Sequence, residues 1–126
     1  MASEERVELV TAITAADLSA PANLFTAVKL DTNGKVVAIA AITDLPFGVL
    51  QDIAVSGRAV PVAVGGIAKC KAGATIAAGA PVAVKADGTL QTAVTTQYVL
   101  GTARYGAVTG DVFAVNVSTA NLGIKA

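Results

Sequence analysis

Between Leu24 and Ser118 the chain never runs far without a glycine, a proline or an Asn/Asp-Gly pair. The stretches between these breaks are short and built mainly from Val, Ala, Ile and Leu. This punctuation constrains the fold more tightly than any other feature. An amphipathic helix needs about ten or more residues of sustained 3.6-residue periodicity, and no segment supplies it. The alanine-rich stretch from Ala72 to Ala80 invites a helix assignment. Gly73 and Gly79 oppose it, each costing about 1 kcal/mol relative to alanine. Short strands with a turn signal roughly every eight to twelve residues predict an all-β fold, a compact small β-barrel or sandwich of short strands.

Val7 to Ile13 reads as an arm or an edge strand, and Thr14 with Asp17 as an imperfect capping box with no periodic apolar run behind it. We therefore expect an N-terminal arm over residues 1–23 and a single β domain over 24–126. Leu24 to Leu30 and Lys35 to Ala41 flank Asp31-Thr32-Asn33-Gly34, where Asn-Gly predicts a type I′ hairpin turn. Pro46 to Leu50 is a turn entering a short strand. Arg58 to Val64 and Gly66 to Cys70 are two further strands separated by Gly65-Gly66. The loop from Ala72 to Gly79 carries one large apolar side chain, Ile76, as a hydrophobic plug. Pro81 to Lys85 and Thr89 to Val94 form a second hairpin across Ala86-Asp87-Gly88. Tyr98 to Tyr105 and Asp111 to Ser118 close the domain. The tetrapeptide Pro-Val-Ala-Val occurs at 61–64 and again at 81–84. Proline lacks the ladder donor, so each copy is expected to start a strand or lie on an edge. The two copies mark either equivalent strands of a pseudo-repeat or a coincidence in a Val/Ala-rich chain.

Hydrophobic residues make up 54% of the 126, yet aromatics only 4%, so small aliphatic side chains must supply the core. A core that thin, with few charges around it, favours burying further surface against copies of the same chain. Nine basic and nine acidic residues give zero formal net charge, without a basic stripe or an aromatic stacking series. Direct nucleic-acid binding is not expected. Glu4, Glu5 and Glu8 surround Arg6, and this acidic start opposes attraction to anionic membranes. The same start lacks the basic and apolar regions of a signal peptide, and no stretch reaches the ~20 apolar residues of a membrane helix. A soluble protein made in the cytoplasm is expected.

Candidate chemistry is sparse. Without histidine, Ser-His-Asp and Cys-His sites are impossible, and one cysteine cannot build a structural zinc site. Cys70 reads as a small buried hydrophobe in a reducing compartment. Asp31-Thr32-Asn33-Gly34 echoes the opening of a calcium loop, but the distal bidentate Glu is missing. Gly101 to Gly106 has the outer glycines of a phosphate loop, with Ala107 and Val108 where Lys and Ser/Thr belong. Asp44 and Asp52 flank Pro46 to Leu50 as a conceivable acid–base pair, and solvated loop carboxylates are the plainer account. Lys85 precedes the Asp87-Gly88 turn, whereas the modified lysine of a biotinyl or lipoyl carrier sits at the hairpin tip. No catalytic, cofactor-binding or metal-binding residue is assigned.

From Gly66 onward the pieces fall in a recognisable order. Gly66, Ala72, Gly73, Ala74, Ile76, Gly79, Pro81, Val82, Val84, Asp87 and Gly88 form one segment. Tyr98, Gly101 and Ala103 form a "Y-x-x-G-x-A" strand, and Gly110, Asp111 and Val115 a closing "G-D-x-x-x-V" strand. This order resembles the capsid cement (head decoration) proteins of tailed bacteriophages, over roughly the C-terminal two-thirds of the chain. The resemblance implies a structural protein, not an enzyme and without a cofactor, on the exterior of a virion capsid. It implies the major capsid protein and further copies of the chain, as a homotrimer, for partners. The less patterned lead-in from Ala2 to Asn23, longer than in many relatives, would reach a neighbouring subunit or capsomer. The competing readings are a ligand-binding or carrier β-barrel of the cell and a small enzyme using carboxylates alone.

Overall fold

The computed structural model describes residues 7–95, 97–119 and 123–124. In chain order the strands are β1 (Val7–Ile13), β2 (Ala27–Leu30), β3 (Val36–Ala38), β4 (Gly48–Leu50) and β5 (Ala59–Lys71). They continue with β6 (Pro81–Val84), β7 (Leu90–Thr92), β8 (Tyr98–Val99), β9 (Gly101–Ala103), β10 (Val112–Ser118) and β11 (Gly123–Ile124). A single 3-10 turn at Pro21–Asn23 is the only helical element among the described residues. The fold is all-β, as the glycine punctuation predicts. Nine strands make one antiparallel sheet in the order β3-β2-β4-β5-β10-β9-β6-β7, with β1 beside β5, and the sheet curls into half a barrel. β8 and β11 pair separately.

That strand order is a palindrome of two matching units. In the first, the β2–β3 hairpin leads through β4 to β5; in the second, the β6–β7 hairpin leads through β9 to β10. The registers agree residue by residue. Val28 lies opposite Gly48, as Val82 lies opposite Gly101. Leu50 lies opposite Val62, as Ala103 lies opposite Val115. Isolated parallel bridges join Thr14 to Val36 and Ala72 to Leu90. The irregular backbone bonds repeat as well. Leu18 N–H donates to Ala54 and Ile76 N–H to Ala107, while Gly57 N–H donates to Thr14 and Gly110 N–H to Ala72. Gly65 and Gly66 are paired in both ladders, with Val7 and Glu8 of β1 and with Val117 and Ser118 of β10, so the two strands flank β5 on opposite edges where they overlap. The chain folds as two copies of one unit.

The core follows the repeat. Leu18, Val28, Val36, Leu50, Val60 and Val62 form one buried cluster. Their counterparts Ile76, Val82, Leu90, Ala103, Phe113 and Val115 all lie in the other. Symmetry fails on the outer face of the first unit. Ala27, Val49 and Ala63 are buried there and join the second cluster, whereas the counterparts of Val49 and Ala63, Thr102 and Asn116, face solvent. The polar pair marks the face left in water.

Several expectations need correction. Gly65-Gly66 does not separate a pair of strands; β5 runs through it as a bulge, with Gly66 at φ +78° and one extra residue opposite Glu8 and Leu9. Pro61 neither starts nor edges a strand but lies inside β5, between β1 and the end of β4. Its carbonyl accepts Gln51 N–H and it has no N–H to return, so the β4–β5 ladder stops at Leu50. Pro81 does start β6. The two Pro-Val-Ala-Val copies occupy unequal places in the repeat, and their likeness is coincidence. Tyr98 to Tyr105 is interrupted at Leu100 into β8 and β9. Residues 1–6 of the expected arm lie outside those described; beyond them β1 takes the edge-strand alternative along β5, and Leu18 is in the core.

Both hairpins form, but not through type I′ turns. Asp31 pairs with Lys35 and Lys85 with Thr89 around three-residue loops, with Gly34 N–H on Asp31 and Gly88 N–H on Lys85. Only the glycines have positive φ, +75° at Gly34 and +83° at Gly88; Asn33 does not. This is a type I turn closed by a left-handed residue. At Gly34 an added Cβ meets open space, whereas at Gly88 it comes within 2.9 Å of the Ala27 carbonyl oxygen. Gly34→Val is therefore expected to cost about 1 kcal/mol from backbone strain alone. Gly88→Val is expected to cost about 2 kcal/mol or more, because the turn packs against Ala27 as well. Thermal melts of the two variants check the order; equal losses would contradict it.

Candidate interaction surface

The side chains weighed for catalysis do not converge. Cys70 is fully buried, and desolvation pushes its thiol far above the ordinary range, so it is a core residue. Asp31 Oδ1 accepts the N–H groups of Asn33 and Lys35, which commits that carboxylate to the turn and not to calcium. Gly101 lies in β9 and Ala107 bridges Ile76, so the Gly101 to Gly106 segment is strand and turn with no cradle for phosphate. Lys85 donates its ammonium to the Gly73 carbonyl at 2.9 Å, beside the hairpin and not at its tip. Asp52 Oδ1 caps the next N–H, that of Ile53. No group of three or more metal-ligating side chains occurs among the described residues.

Asp44 has a structural task that the repeat makes plain. Its Oδ2 accepts the N–H groups of Ala40 and Ala41 and the Lys29 ammonium at 2.9 Å. The Lys29 bond first, and the Ala40 N–H next, hold its carboxyl below the usual range, against a small desolvation effect. The matching residue is Gln97, whose Oε1 accepts Val94 N–H from the same three-residue turn. Gln97 is buried, where a carboxylate would lose its hydration without a cation to replace it. A neutral amide there does the same job and spends its N–H groups on the carbonyls of Val84 and Ile42.

What the surface offers is apolar. β1 exposes Leu9 and Ile13 on its outer side, and among the described residues its only strand partner is β5. A groove of about 520 Å³ opens between β1, β2 and the segment before β4, lined by Val10, Leu30, Leu45, Phe47 and Val64. Of the matching positions in the second unit, Ala68, Val84, Leu100 and Val117 are buried, and Tyr98, which matches Leu45, is half-buried. A shallower groove of about 420 Å³ is lined by Val7, Phe25, Gln51, Ile67, Lys69 and Ala114. The sequence held no signal for these surfaces, because a strand's alternation does not say which face a second layer will cover.

No curated protein matches the chain. Among solved structures it is similar to the N base of the head fiber gp8.5 of bacteriophage phi29, at 20% identity and a TM-score of 0.64. That match covers 94% of this chain and 99% of the other, and it speaks to the fold. Residues 10–119 match the family model of the phage cement proteins, a span that takes in both units of the repeat and β1 from Val10 onward. On that match the chain belongs to the phage cement protein family.

Proposed function

We propose that the protein attaches to the outer surface of a phage head and stabilises the shell against rupture, working as a homotrimer with the major capsid protein as its partner. The observation that carries this reading is the family match over residues 10–119, joined to a surface that offers apolar contact. A cement protein requires a rigid body with more than one contact face. Two packed cores across one continuous sheet supply the rigidity. The outer side of β1 and the groove between β1 and β2 supply apolar area on a body this small, which favours association with copies of itself. Bridging several capsomers makes rupture depend on breaking contacts together, since each remaining contact keeps the loosened one at high local concentration.

Isolated heads test the reading. The protein is expected to bind expanded heads, to add little to the compact procapsid, and to raise the rupture temperature of empty heads in a melting curve. Light scattering of the free protein at micromolar concentration is expected to give the trimer mass. Heads that neither retain the protein nor gain rupture temperature would overturn the cement function, and a monomer both in solution and on heads would overturn the trimer.

A further inference from the structure

The repeat isolates one side chain that its own backbone does not call for. In the second unit, the bend before β6 is made by Gly79 at φ +81°, with its N–H on the Ala103 carbonyl. In the first unit, the same bend before β2 is made by Phe25 at φ +64°, with its N–H on the Leu50 carbonyl. Phe25 is the one non-glycine residue with positive φ among those described. Glycine makes this bend without strain, so the turn does not need the ring. Burial explains it only in part, because the ring is not fully enclosed and lines the shallow groove. A strained residue that the turn does not require and the core does not enclose points to a use at the surface.

The surroundings indicate what that use is. Lys69 projects from the outer face of β5 with its ammonium 6.0 Å from the centre of the Phe25 ring. It is exposed and forms no ion pair among the described residues. Lys71, the next outward residue, places its ammonium on the Ala22 carbonyl at 3.1 Å. Val7, Ile67 and Ala114 complete the walls with aliphatic surface. An aromatic anchor, an unpaired cation and an aliphatic floor suit a peptide carboxylate flanked by apolar side chains.

Building on the cement function proposed above, we infer that this groove is the shell contact. It receives a segment of the shell protein in which an Asp or Glu, flanked by aliphatic residues, pairs with Lys69 and lies against Phe25.

Retention on expanded heads, measured over a range of salt, tests this alongside thermal melts of the free variants. Phe25→Gly is expected to remain folded and to melt close to the wild-type temperature, relief of backbone strain offsetting the lost ring contacts, while binding heads about tenfold more weakly. Lys69→Gln is expected to leave melting unchanged, to weaken binding about fivefold at low salt, and to flatten its salt dependence. Lys35→Gln, a change at the exposed β2–β3 turn, is expected to bind as wild type. Wild-type retention by both the Phe25 and Lys69 variants, while the unaltered protein binds, overturns the assignment and leaves the cement function standing. Equal losses for the Lys69 and Lys35 variants also overturn it, as an unspecific charge effect. If Phe25→Gly folds poorly, the Lys69 variant decides alone. Failure of the unaltered protein to bind removes the cement function and this inference together.

Discussion

Gly48→Ala and Gly101→Ala are each expected to lower the melting temperature by roughly 10 °C or more, although both glycines sit in ordinary strand conformation. The two occupy one position of the repeat, opposite Val28 and Val82. At Gly48 a Cβ would stand 2.5 Å from both the Ala63 carbonyl oxygen and a Val62 methyl. At Gly101 it would fall on the carbonyl oxygen of Asn116, the residue that matches Ala63. Backbone oxygens in a paired ladder cannot turn aside as a side chain can, so the strands must separate. Overpacking of this kind costs about 1–3 kcal/mol, and the upper end applies where backbone has to move. Thermal or denaturant melts measure it. A small loss at either site would mean that the two short strands β4 and β9 are free to shift.

Leu18→Ala and Ile76→Ala are expected to destabilise by about 2–5 kcal/mol each, the range for emptying a buried aliphatic site. Each side chain plugs one unit of the repeat, and each is almost wholly buried. Their backbones are pinned by matching hydrogen bonds, to Ala54 and to Ala107, so neither site can collapse easily around the hole. Removing residues 1–23 is expected to cost more than Leu18→Ala, because β5 then loses its partner along 59–66 as well. Denaturant melts of the three variants set the order. Near-wild-type stability after the truncation would mean that this segment is attached to the fold without supporting it. The measurement also bears on attachment to heads, since an unfolded truncation says nothing about what the lead-in contacts.

Much of the framework is legible in the sequence because it rests on local backbone chemistry. Gly34 and Gly88 follow Asn33 and Asp87 and take the left-handed conformation where the hairpins turn. Their turn type was not legible, since a type I turn with a left-handed third residue and a type I′ turn share the Asn-Gly signature. Ile76 stands out as a plug amid small residues and is buried. Leu18 fills the matching place but sits in a lead-in with no strand pattern, and only its contact with cluster residues from β2 to β5 reveals it.

The sequence by itself determined the fold class, the hairpin turns at Gly34 and Gly88, and the absence of histidine and of a second cysteine. These depend on which residues tolerate positive φ, which carry reactive groups, and how far apolar runs extend. The tertiary structure alone decided the pairing of β1 with β5, the continuous course of β5 through Gly65-Gly66, and the two-fold repeat. The repeat is conserved in backbone hydrogen bonds, which any residue except proline makes equally well. Lys29 can therefore stand where the twin has Ala83, Asp44 where it has Gln97, and Phe25 where it has Gly79, without disturbing the pattern. The same indifference leaves those side chains free to differ, and the asymmetry at Phe25 shows only once the two units are laid over one another.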